Sequence, residues 1–318
     1  MNASPHASLD DVSPPDAVVR GLTAPRKQLP CRLLYDARGA ELFEQICEVA
    51  DYYPTRAELA LLAAHLPELA REVGPRARII EPGSGAGLKT RMLLEALDAP
   101  RCYQPIDISA EQLASNAEAL RREFPDLEVQ PLCADYLTPL QLPTPTRPVD
   151  ATLVFFPGST IGNFQPDEAR AFLARLAAAA GPGGWLLLGA DQNLDEASLL
   201  RAYDDREGVT AAFNLNVLAH LNHSHAARFD LSAFLHRAVW NAAASRVEMH
   251  LVSRRTQRVP VAGRMVSFER GESIVTEHCY KHSPAALRQL LAAAGWEVQA
   301  HVCDAAQRMA LWLARRRG

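Results

Sequence analysis

One stretch constrains the fold of this chain more than any other: Ile79-Ile80-Glu81-Pro82-Gly83-Ser84-Gly85-Ala86-Gly87-Leu88-Lys89. It is a short apolar run that ends in an acid and continues into glycines. That order is typical of the first strand, turn and helix start of a nucleotide-binding α/β domain. Gly83 and Gly85 allow backbone angles that a β-carbon would block, so a ligand can lie against the main chain at the carboxyl end of the strand.

The same stretch narrows the class of ligand. The dinucleotide fingerprint needs a third glycine where Leu88 stands, and a phosphate-binding P-loop needs Gly-Lys-Ser/Thr where the chain has Leu88-Lys89-Thr90. S-adenosylmethionine carries a cationic sulfonium and an amine, so the acid Glu81 favours that ligand over a dinucleotide. A tight turn without any ligand stays open as an alternative.

Strands and helices alternate beyond residue 77, as in a doubly wound α/β sheet whose buried strands are continuous apolar runs. Strands are predicted at 77–81, 102–107, 127–134, 151–156 and 185–190. Helices are predicted at 88–97, 110–122 and 166–180. A helix from 283 to 294 and an antiparallel strand pair, 296–302 with 309–313, complete the predicted sheet domain.

Acids follow three of these strands: Glu81, Asp107 and Asp135. In such sheets the ligand lies beyond the carboxyl ends of the strands. Asp107, at the end of the second strand, is placed to accept hydrogen bonds from ribose hydroxyls, and Asp135 with Tyr136 is placed to contact an adenine. Each acid alone could instead cap the next helix, but three in register favour ligand binding.

The loop after the fourth predicted strand consists of small and polar residues, Pro157-Gly158-Ser159-Thr160-Ile161-Gly162-Asn163-Phe164. A loop at this position faces the reacting group, and its carbonyls and the Asn163 amide can bind a substrate amine or carboxylate. The alternative is that Asn163 caps the helix that begins at residue 166.

The alternation is absent before residue 77 and from 191 to 281. A helical cap is predicted at 29–48, a helix from Pro54-Thr55 to about residue 70, helices at 197–203 and 209–219, and strands at 246–252 and 265–268. Residues 271–281 alternate, which places Glu277 and Cys279 on one face, and Ile274, Thr276, His278 and Tyr280 on the other. We expect a disordered leader (1–16), a substrate-binding α+β subdomain (17–61 and 191–281) and a cofactor-binding domain (62–190 and 282–318).

Composition excludes several classes of protein. A net charge of -4 and a pI of about 6.2 give no basic field for nucleic acid. No apolar run is long enough for a membrane span or a signal peptide. Six separated cysteines indicate reduced thiols in the cytoplasm. Four histidines between 220 and 236 lack the spacing of a zinc site, so the sequence predicts surface histidines and no metal.

Several longer motifs combine into a resemblance that covers nearly the whole chain after the leader. They are Tyr35-Asp36-x-Arg38-Gly39, Tyr52-Tyr53-Pro54-Thr55-Arg56-x-Glu58, Gly158-Ser159-Thr160-Ile161-Gly162-Asn163, Tyr203-Asp204-Asp205, Phe213-Asn214-x-Asn216 and Thr276-Glu277. The chain resembles the histidine Nα-methyltransferases of ergothioneine biosynthesis. This resemblance implies a class I methyltransferase fold with a substrate subdomain built from the amino-terminal segment and the insertion. We expect a small-molecule amino acid as the substrate, and a monomer.

The resemblance also implies roles for individual residues. S-adenosylmethionine would be held by Gly83, Lys89, Asp107, Asp135 and Tyr136. Asn163 and Tyr203 would hold the histidine carboxylate, and the amine would lie near Gly158 and Thr160. The imidazole would be bound by Tyr53, Glu277 and Cys279 beside Met249, and Tyr35 and Phe43 would close over the site.

Two positions depart from the family pattern. Pro82 stands where the family has Leu, which removes only one backbone donor. Cys279 stands where Ser is common. The implied chemistry is in-line transfer of a methyl group to a neutral α-amine, repeated up to the trimethylated betaine, without a metal, a nucleophilic residue or an assigned general base. A methyltransferase for another amine and a binding module without turnover remain the alternatives.

Overall fold

The computed structural model describes residues 15–85 and 87–317. Its helices are α1 (Pro15–Thr23), α2 (Ala37–Glu48), α3 (Tyr53–Val73), α4 (Leu88–Ala96), α5 (Ala110–Glu123), α6 (Pro166–Ala180), α7 (Glu196–Tyr203), α8 (Val209–Ser224) and α9 (Pro284–Ala293). Its strands are β1 (Ala77–Pro82), β2 (Cys102–Asp107), β3 (Glu128–Val129), β4 (Leu132–Cys133), β5 (Ala151–Phe156), β6 (Trp185–Asp191), β7 (Phe234–Asn241), β8 (Arg246–Ser253), β9 (Gln257–Val261), β10 (Arg264–Phe268), β11 (Ser273–Tyr280), β12 (Trp296–Cys303) and β13 (Met309–Arg316).

The chain divides into two compact units. The sheet unit is Pro54–Asn193 together with the residues from Lys281 onward, and the insert unit is the described residues up to Tyr53 together with Leu194–Tyr280. The chain therefore crosses between the units at 53/54, 193/194 and 280/281. The boundaries predicted from the sequence were 61/62, 190/191 and 281/282. The leader prediction lies outside the described residues up to position 14, and α1 already begins at Pro15.

One large sheet organises the sheet unit. Within the described residues its strand order is β12-β13-β6-β5-β1-β2-β3, and β4 also pairs with β2. The pairs of β1 with β2 and β5, and of β5 with β6, are parallel, whereas β6, β13 and β12 are antiparallel. The predicted doubly wound α/β class with a terminal antiparallel pair is confirmed.

Both faces of this sheet carry an apolar core, because successive side chains of a strand point to opposite sides. Ile79 packs with the cluster that includes residues of α3, α4 and α5, and its neighbour Ile80 packs with the cluster that includes residues of α6 and α9. Both isoleucines are fully buried. This two-sided burial explains why the central strands are uninterrupted apolar runs in the sequence.

The strand order reverses at β1, whose neighbours are β2 on one side and β5 on the other. In open α/β sheets the ligand site lies at the carboxyl ends of the strands beside such a reversal. The glycine loop after β1 and the polar loop after β5 both begin at this point.

The insert unit has a smaller antiparallel sheet in the order β11-β8-β7, and a hairpin formed by β9 and β10. Helix α2 packs against α8. Asp36 caps the start of α2 by accepting a hydrogen bond from the Gly39 nitrogen at 2.7 Å. A β-carbon at Gly39 would lie 1.8 Å from the Leu34 carbonyl oxygen, so the motif Tyr35-Asp36-x-Arg38-Gly39 describes a helix start that only glycine allows.

Several predicted elements differ from the structure. The strand predicted at 127–134 is two short strands separated at Pro131, which has no N–H to donate to a ladder. Strand β7 was not predicted, because its outward Leu235 is 49% exposed and its inward His236 is buried, the reverse of the usual hydropathy. Strand β9 was also missed, since it begins with polar residues and contains Pro260.

Candidate functional site

The glycine loop of the sheet unit leaves its main chain open to a ligand. Gly83, Gly85 and Gly87 have φ of +72°, +48° and +78°, a region that side-chain-bearing residues rarely adopt. The Gly83 nitrogen donates to the Ile106 carbonyl oxygen at 2.7 Å, which ties the loop to β2. A β-carbon on Gly83 would lie 3.4 Å from the ring of Tyr136, so the loop and this ring border the same space.

Glu81 supports this loop from the interior of the sheet unit. It is only 2% exposed, and its Oε2 accepts hydrogen bonds from the Tyr103 hydroxyl at 2.6 Å and the Thr90 hydroxyl at 2.7 Å. Burial raises the pKa of Glu81 to about 7, against these two hydrogen bonds, which lower it. Near neutral pH Glu81 is therefore partly protonated, so it attracts a cation less strongly than a fully ionised carboxylate would. Its direct contact with the cofactor stays a prediction.

The other two acids end neighbouring strands at the same edge. Asp107 in β2 pairs with Cys133 in β4, and Asp135 follows two residues later. Each acid also shapes its own turn: Oδ1 of Asp107 accepts from the Ser109 nitrogen at 3.1 Å, and Oδ1 of Asp135 accepts from the Leu137 nitrogen at 2.8 Å. A carboxylate has about four acceptor positions, so each of these turns leaves capacity for a ligand.

Tyr136 adds an aromatic wall beside the acids. Its ring centroid lies 6.4 Å from that of Phe156 and 5.7 Å from that of Phe172. Glycines without β-carbons, strand-end acids and a fixed ring are the features that a nucleoside with an amino-acid tail requires. The residues of the sheet unit therefore fit S-adenosylmethionine.

The loop after β5 is held by Glu58, a residue that was not predicted to belong to the site. Both carboxylate oxygens of Glu58, in α3, accept from the Gly158 nitrogen, at 2.8 and 2.9 Å. Glu58 also forms an ion pair with Lys89 and is fully buried. A signal was present in the sequence, because Glu58 lies one turn before Leu61 and Leu62 on the apolar side of its helix.

The rest of this loop is a single turn of 3₁₀ helix, Thr160–Asn163. The Thr160 hydroxyl donates to the Pro157 carbonyl oxygen at 3.2 Å. Asn163 does not cap the following helix, because the residue at the start of α6 is Gln165, whose nitrogen donates to Glu168. The capping alternative for Asn163 is therefore wrong, and its half-buried amide stays a predicted ligand of the substrate.

In the insert unit, the predicted closing residues belong to an aromatic cluster. Tyr35 lies edge-on to Phe43 and Phe213, with ring centroids 5.6 and 5.4 Å apart. Phe43 lies 6.5 Å from Tyr52, and Tyr52 lies 6.2 Å from Tyr203. Tyr52, predicted to serve only in packing, is thus the link between this cluster and Tyr203. Tyr53 is buried at the first position of α3.

Strands β11 and β8 bring the remaining predicted substrate residues of the insert unit together. Glu277 lies opposite Met249 in the ladder, Cys279 lies opposite Val247, and all four side chains are buried. The Cys279 sulfur is 2.8 Å from the Tyr203 hydroxyl. The alternation predicted for 271–281 is interrupted by a bulge between Val275 and Glu277, so only Glu277 onward follows one regular phase.

A buried polar network lies behind this face. Asn214 is fully buried, accepts from the Thr276 hydroxyl at 2.6 Å, and donates to Nδ1 of His236 at 2.8 Å. Nε2 of His236 lies 2.9 Å from the Tyr203 carbonyl oxygen, so the neutral tautomer with its proton on Nε2 satisfies both contacts. Burial lowers the pKa of His236, which favours this neutral form.

The prediction of surface histidines is wrong for three of the four. His220, His225 and His236 are buried, and Nδ1 of His220 lies 2.8 Å from the Leu33 carbonyl oxygen, whereas His223 is exposed. Among residues 15–85 and 87–317, no group of three His, Cys, Asp or Glu side chains is arranged to hold a metal ion. In the same ranges no helix combines the length and the apolar character needed to cross a bilayer.

The fold of the sheet unit is that of a class I S-adenosylmethionine-dependent methyltransferase. A putative methyltransferase from Thermobifida fusca has this fold, with a TM-score of 0.51 and 12% identity over 94% of this chain and 98% of its own. Residues 15–316 match the family of histidine-specific, S-adenosylmethionine-dependent methyltransferases, and the chain belongs to that family.

Two relatives are similar along nearly their whole length. The histidine N-alpha-methyltransferase of Mycobacterium tuberculosis is 43% identical, over 87% of this chain and 87% of its own. The histidine N-alpha-methyltransferase of Mycolicibacterium smegmatis is 44% identical, over 86% of each chain. The resemblance drawn from the sequence motifs is confirmed, and the protein is a methyltransferase that uses S-adenosylmethionine.

Proposed function

We propose that this enzyme transfers methyl groups from S-adenosylmethionine to the α-amine of L-histidine, as far as the trimethylated betaine. The observation that carries the proposal is the match to two histidine N-alpha-methyltransferases at 43% and 44% identity along most of each chain. The buried face formed by Glu277, Cys279 and Met249 supports it, because it offers an acid and a thiol to a small polar ring.

The cofactor supplies an electrophilic methyl group on a sulfonium. We assign its ribose hydroxyls to Asp107 and its adenine to Asp135 and Tyr136, with Glu81, Gly83 and Gly85 shaping the loop beside it. Lys89 is assigned to the amino-acid carboxylate of the cofactor. Its ammonium has three donors, so the ion pair with Glu58 leaves donors for a second carboxylate.

Recognition of the imidazole is assigned to the insert unit. The Glu277 carboxylate accepts the N–H of the ring, and the Cys279 thiol donates to the other nitrogen as a weaker donor than a hydroxyl. Met249 packs beside the ring, and the Tyr53 hydroxyl adds a polar contact. Tyr35 and Phe43 close over the substrate.

The two ends of the amino acid are assigned to other groups. Asn163 and Tyr203 bind the carboxylate, and Gly158 and Thr160 receive the amine. The amine must be neutral to attack a methyl group, so its ammonium proton leaves first, and we infer that water accepts it. The protein contributes position and exclusion of water to an in-line displacement.

The carboxylate assignment makes a direct prediction. Histamine has the imidazole and the amine of histidine but lacks the carboxylate, so it should be a poor substrate. Turnover of histamine comparable to that of histidine would rule out Asn163 and Tyr203 as the carboxylate site.

We also propose the oligomeric state and location of the enzyme and the roles of its two units. We expect a monomer in the cytoplasm that acts on a free amino acid, and a net charge of -4 gives no field to recruit nucleic acid. The insert unit serves as the substrate-binding part and the sheet unit as the cofactor-binding part. Light scattering measures the oligomeric state directly, and a dimer would remove the first of these expectations.

The test of the function is a panel of amino acids. The purified enzyme is incubated with S-adenosylmethionine and each of the common amino acids, and mass spectrometry counts the added methyl groups. We expect histidine to gain three methyl groups, about 42 mass units. It should gain them faster than any other amino acid gains a single methyl group. Preference for another amino acid would rule out histidine as the substrate. Binding of S-adenosylmethionine without turnover of any amino acid would rule out methyl transfer.

A further inference from the structure

Glu58 contacts two residues that the proposed function assigns to different substrates. Its carboxylate accepts the Gly158 nitrogen at 2.8 and 2.9 Å and forms an ion pair with Lys89. Gly158 belongs to the loop assigned to the substrate amine, and Lys89 is assigned to the cofactor. Glu58 itself is fully buried, so its carboxylate is not exposed to either substrate.

The residues around Glu58 leave just enough space for its carboxylate. Gly189 in β6 lies beside it, and a β-carbon there would be 1.8 Å from Oε1 of Glu58. A β-carbon on Gly158 would be 3.7 Å from Nζ of Lys89 and 3.4 Å from the Thr160 hydroxyl. A buried carboxylate is strongly unfavourable unless charges and hydrogen bonds compensate it, so Lys89 and the Gly158 N–H keep Glu58 in this place.

The loop that Glu58 holds has an unusual backbone. Gly158 and Ser159 both have positive φ, +83° and +57°, and a left-handed conformation is unfavourable for serine. A second anchor lies on the other side, where the Ser159 hydroxyl oxygen accepts from the Asp191 nitrogen at 2.8 Å. Asp191 is in turn paired with the fully buried Lys281 at 2.6 Å. Without Glu58, the loop would lose its anchor at Gly158 and keep the one at Ser159.

We propose that Glu58 is a positioning residue for methyl transfer, which sets the amine-binding loop through Gly158 and the cofactor carboxylate site through Lys89. The inference rests on the proposed function. Its consequence is that loss of one buried carboxylate weakens the binding of both substrates together. A purely structural role would instead lower the fraction of folded enzyme, which reduces kcat and leaves each KM unchanged.

The experiment compares two variants that disturb Glu58 in different ways. Glu58→Gln keeps the shape of the side chain and removes its charge, whereas Gly189→Ala keeps the charge and displaces the carboxylate. Calorimetry gives the Kd of S-adenosylhomocysteine, and steady-state kinetics give the KM of histidine. We expect both constants to rise by about tenfold in each variant, the size of a lost hydrogen bond to a charged group.

The matched control is Gln104→Met. Gln104 is also a fully buried polar residue of the sheet unit, and it bonds to Arg78, Gln130 and the Pro143 carbonyl instead of the site. We expect this variant to have a lower Tm while both binding constants stay within about twofold of the wild type. A folded Glu58→Gln enzyme with both constants unchanged, or with only one of them raised, would overturn the proposal.

Two further outcomes keep the proposal testable. If both variants fail to fold, hydrogen exchange of the wild-type enzyme decides, because the Gly158 amide should be among the protected amides, and rapid exchange there would contradict the anchor. If the wild-type enzyme does not methylate histidine, the proposed function fails by itself, and the KM measurement is repeated with the amino acid that the panel identifies.

Discussion

Asp107 and Asp135, two acids that we assign to the cofactor, are held in place differently from the residues that we assign to the substrate in the insert unit. Asp107 and Asp135 accept hydrogen bonds from nitrogens only two residues further along the chain. In the insert unit, Thr276 bonds to Asn214 across 62 positions of sequence, and Cys279 contacts Tyr203 across 76. The first group is fixed by local turns at strand ends, whereas the second is fixed by side chains that meet only after the unit has folded.

This difference predicts how the two groups respond to mutation. An acid at a strand end can be removed with little effect on packing, so its loss should appear mainly in ligand affinity. A member of the buried network supports its neighbours, so its loss should appear in the free energy of unfolding as well.

The largest effect is expected from Asp107→Ala. We expect the affinity for S-adenosylmethionine to fall by about 100-fold, since a ribose loses a charged acceptor worth up to ~3 kcal/mol. The Tm should change little because only the short Asp107–Ser109 turn is lost. Calorimetry and thermal unfolding measure both quantities, and Asp126→Ala, an exposed acid, is the control. An affinity loss of less than about threefold would reduce Asp107 to a turn residue.

A somewhat smaller effect is expected from Glu277→Ala, and it concerns selectivity. The variant should lose about 30-fold in kcat/KM for histidine relative to tryptophan or phenylalanine, because only histidine forms a charge-assisted bond there. The ratio of kcat/KM values on histidine, on its Nα-methylated forms and on the two aromatic acids measures this. Undiminished selectivity would falsify the imidazole assignment.

Thr276→Val should act mainly on stability. The substitution removes the hydroxyl that Asn214 accepts at 2.6 Å and leaves a buried amide oxygen without that partner, which costs about 1–3 kcal/mol. Urea unfolding should show this loss, while Thr276→Ser, which keeps the hydroxyl, should lose less than half as much. Equal stability of the valine and serine variants would show that the hydroxyl is dispensable and that the comparison between the units is wrong.

The smallest effect is expected from Cys279→Ser. Serine restores the stronger donor, retains a polar partner for the Tyr203 hydroxyl, and changes the side-chain volume little. We expect activity equal to or slightly above the wild type, with a KM for histidine lower by up to about threefold. Cys279→Ala, which has no donor, should raise that KM. Strong impairment of the serine variant would mean that the sulfur serves a different substrate.

The sequence predicts the sheet unit well because its signals are local. Apolar runs identify the buried strands, and acids or glycines near the ends of these runs predict the ligand edge. The insert unit was harder to predict for a physical reason: the buried position of His236 is made favourable by Asn214 and the Tyr203 carbonyl, which are distant in sequence. The bulge at Thr276 could not be predicted either, because the alternation of residue types along this strand does not show it. Glu58 was missed because its partners, Lys89 and Gly158, lie on other elements.

The three crossings between the units affect how the chain is made on the ribosome. The insert unit consists of the described residues up to Tyr53 and of Leu194–Tyr280, so its first part is synthesised before all of Pro54–Asn193 and must wait for its second part. At ordinary rates of synthesis that delay is about ten seconds. During it, helix α1, whose Val18 and Leu22 end fully buried, lacks its later contacts with β10, so we expect the nascent chain to bind chaperones that shield apolar segments.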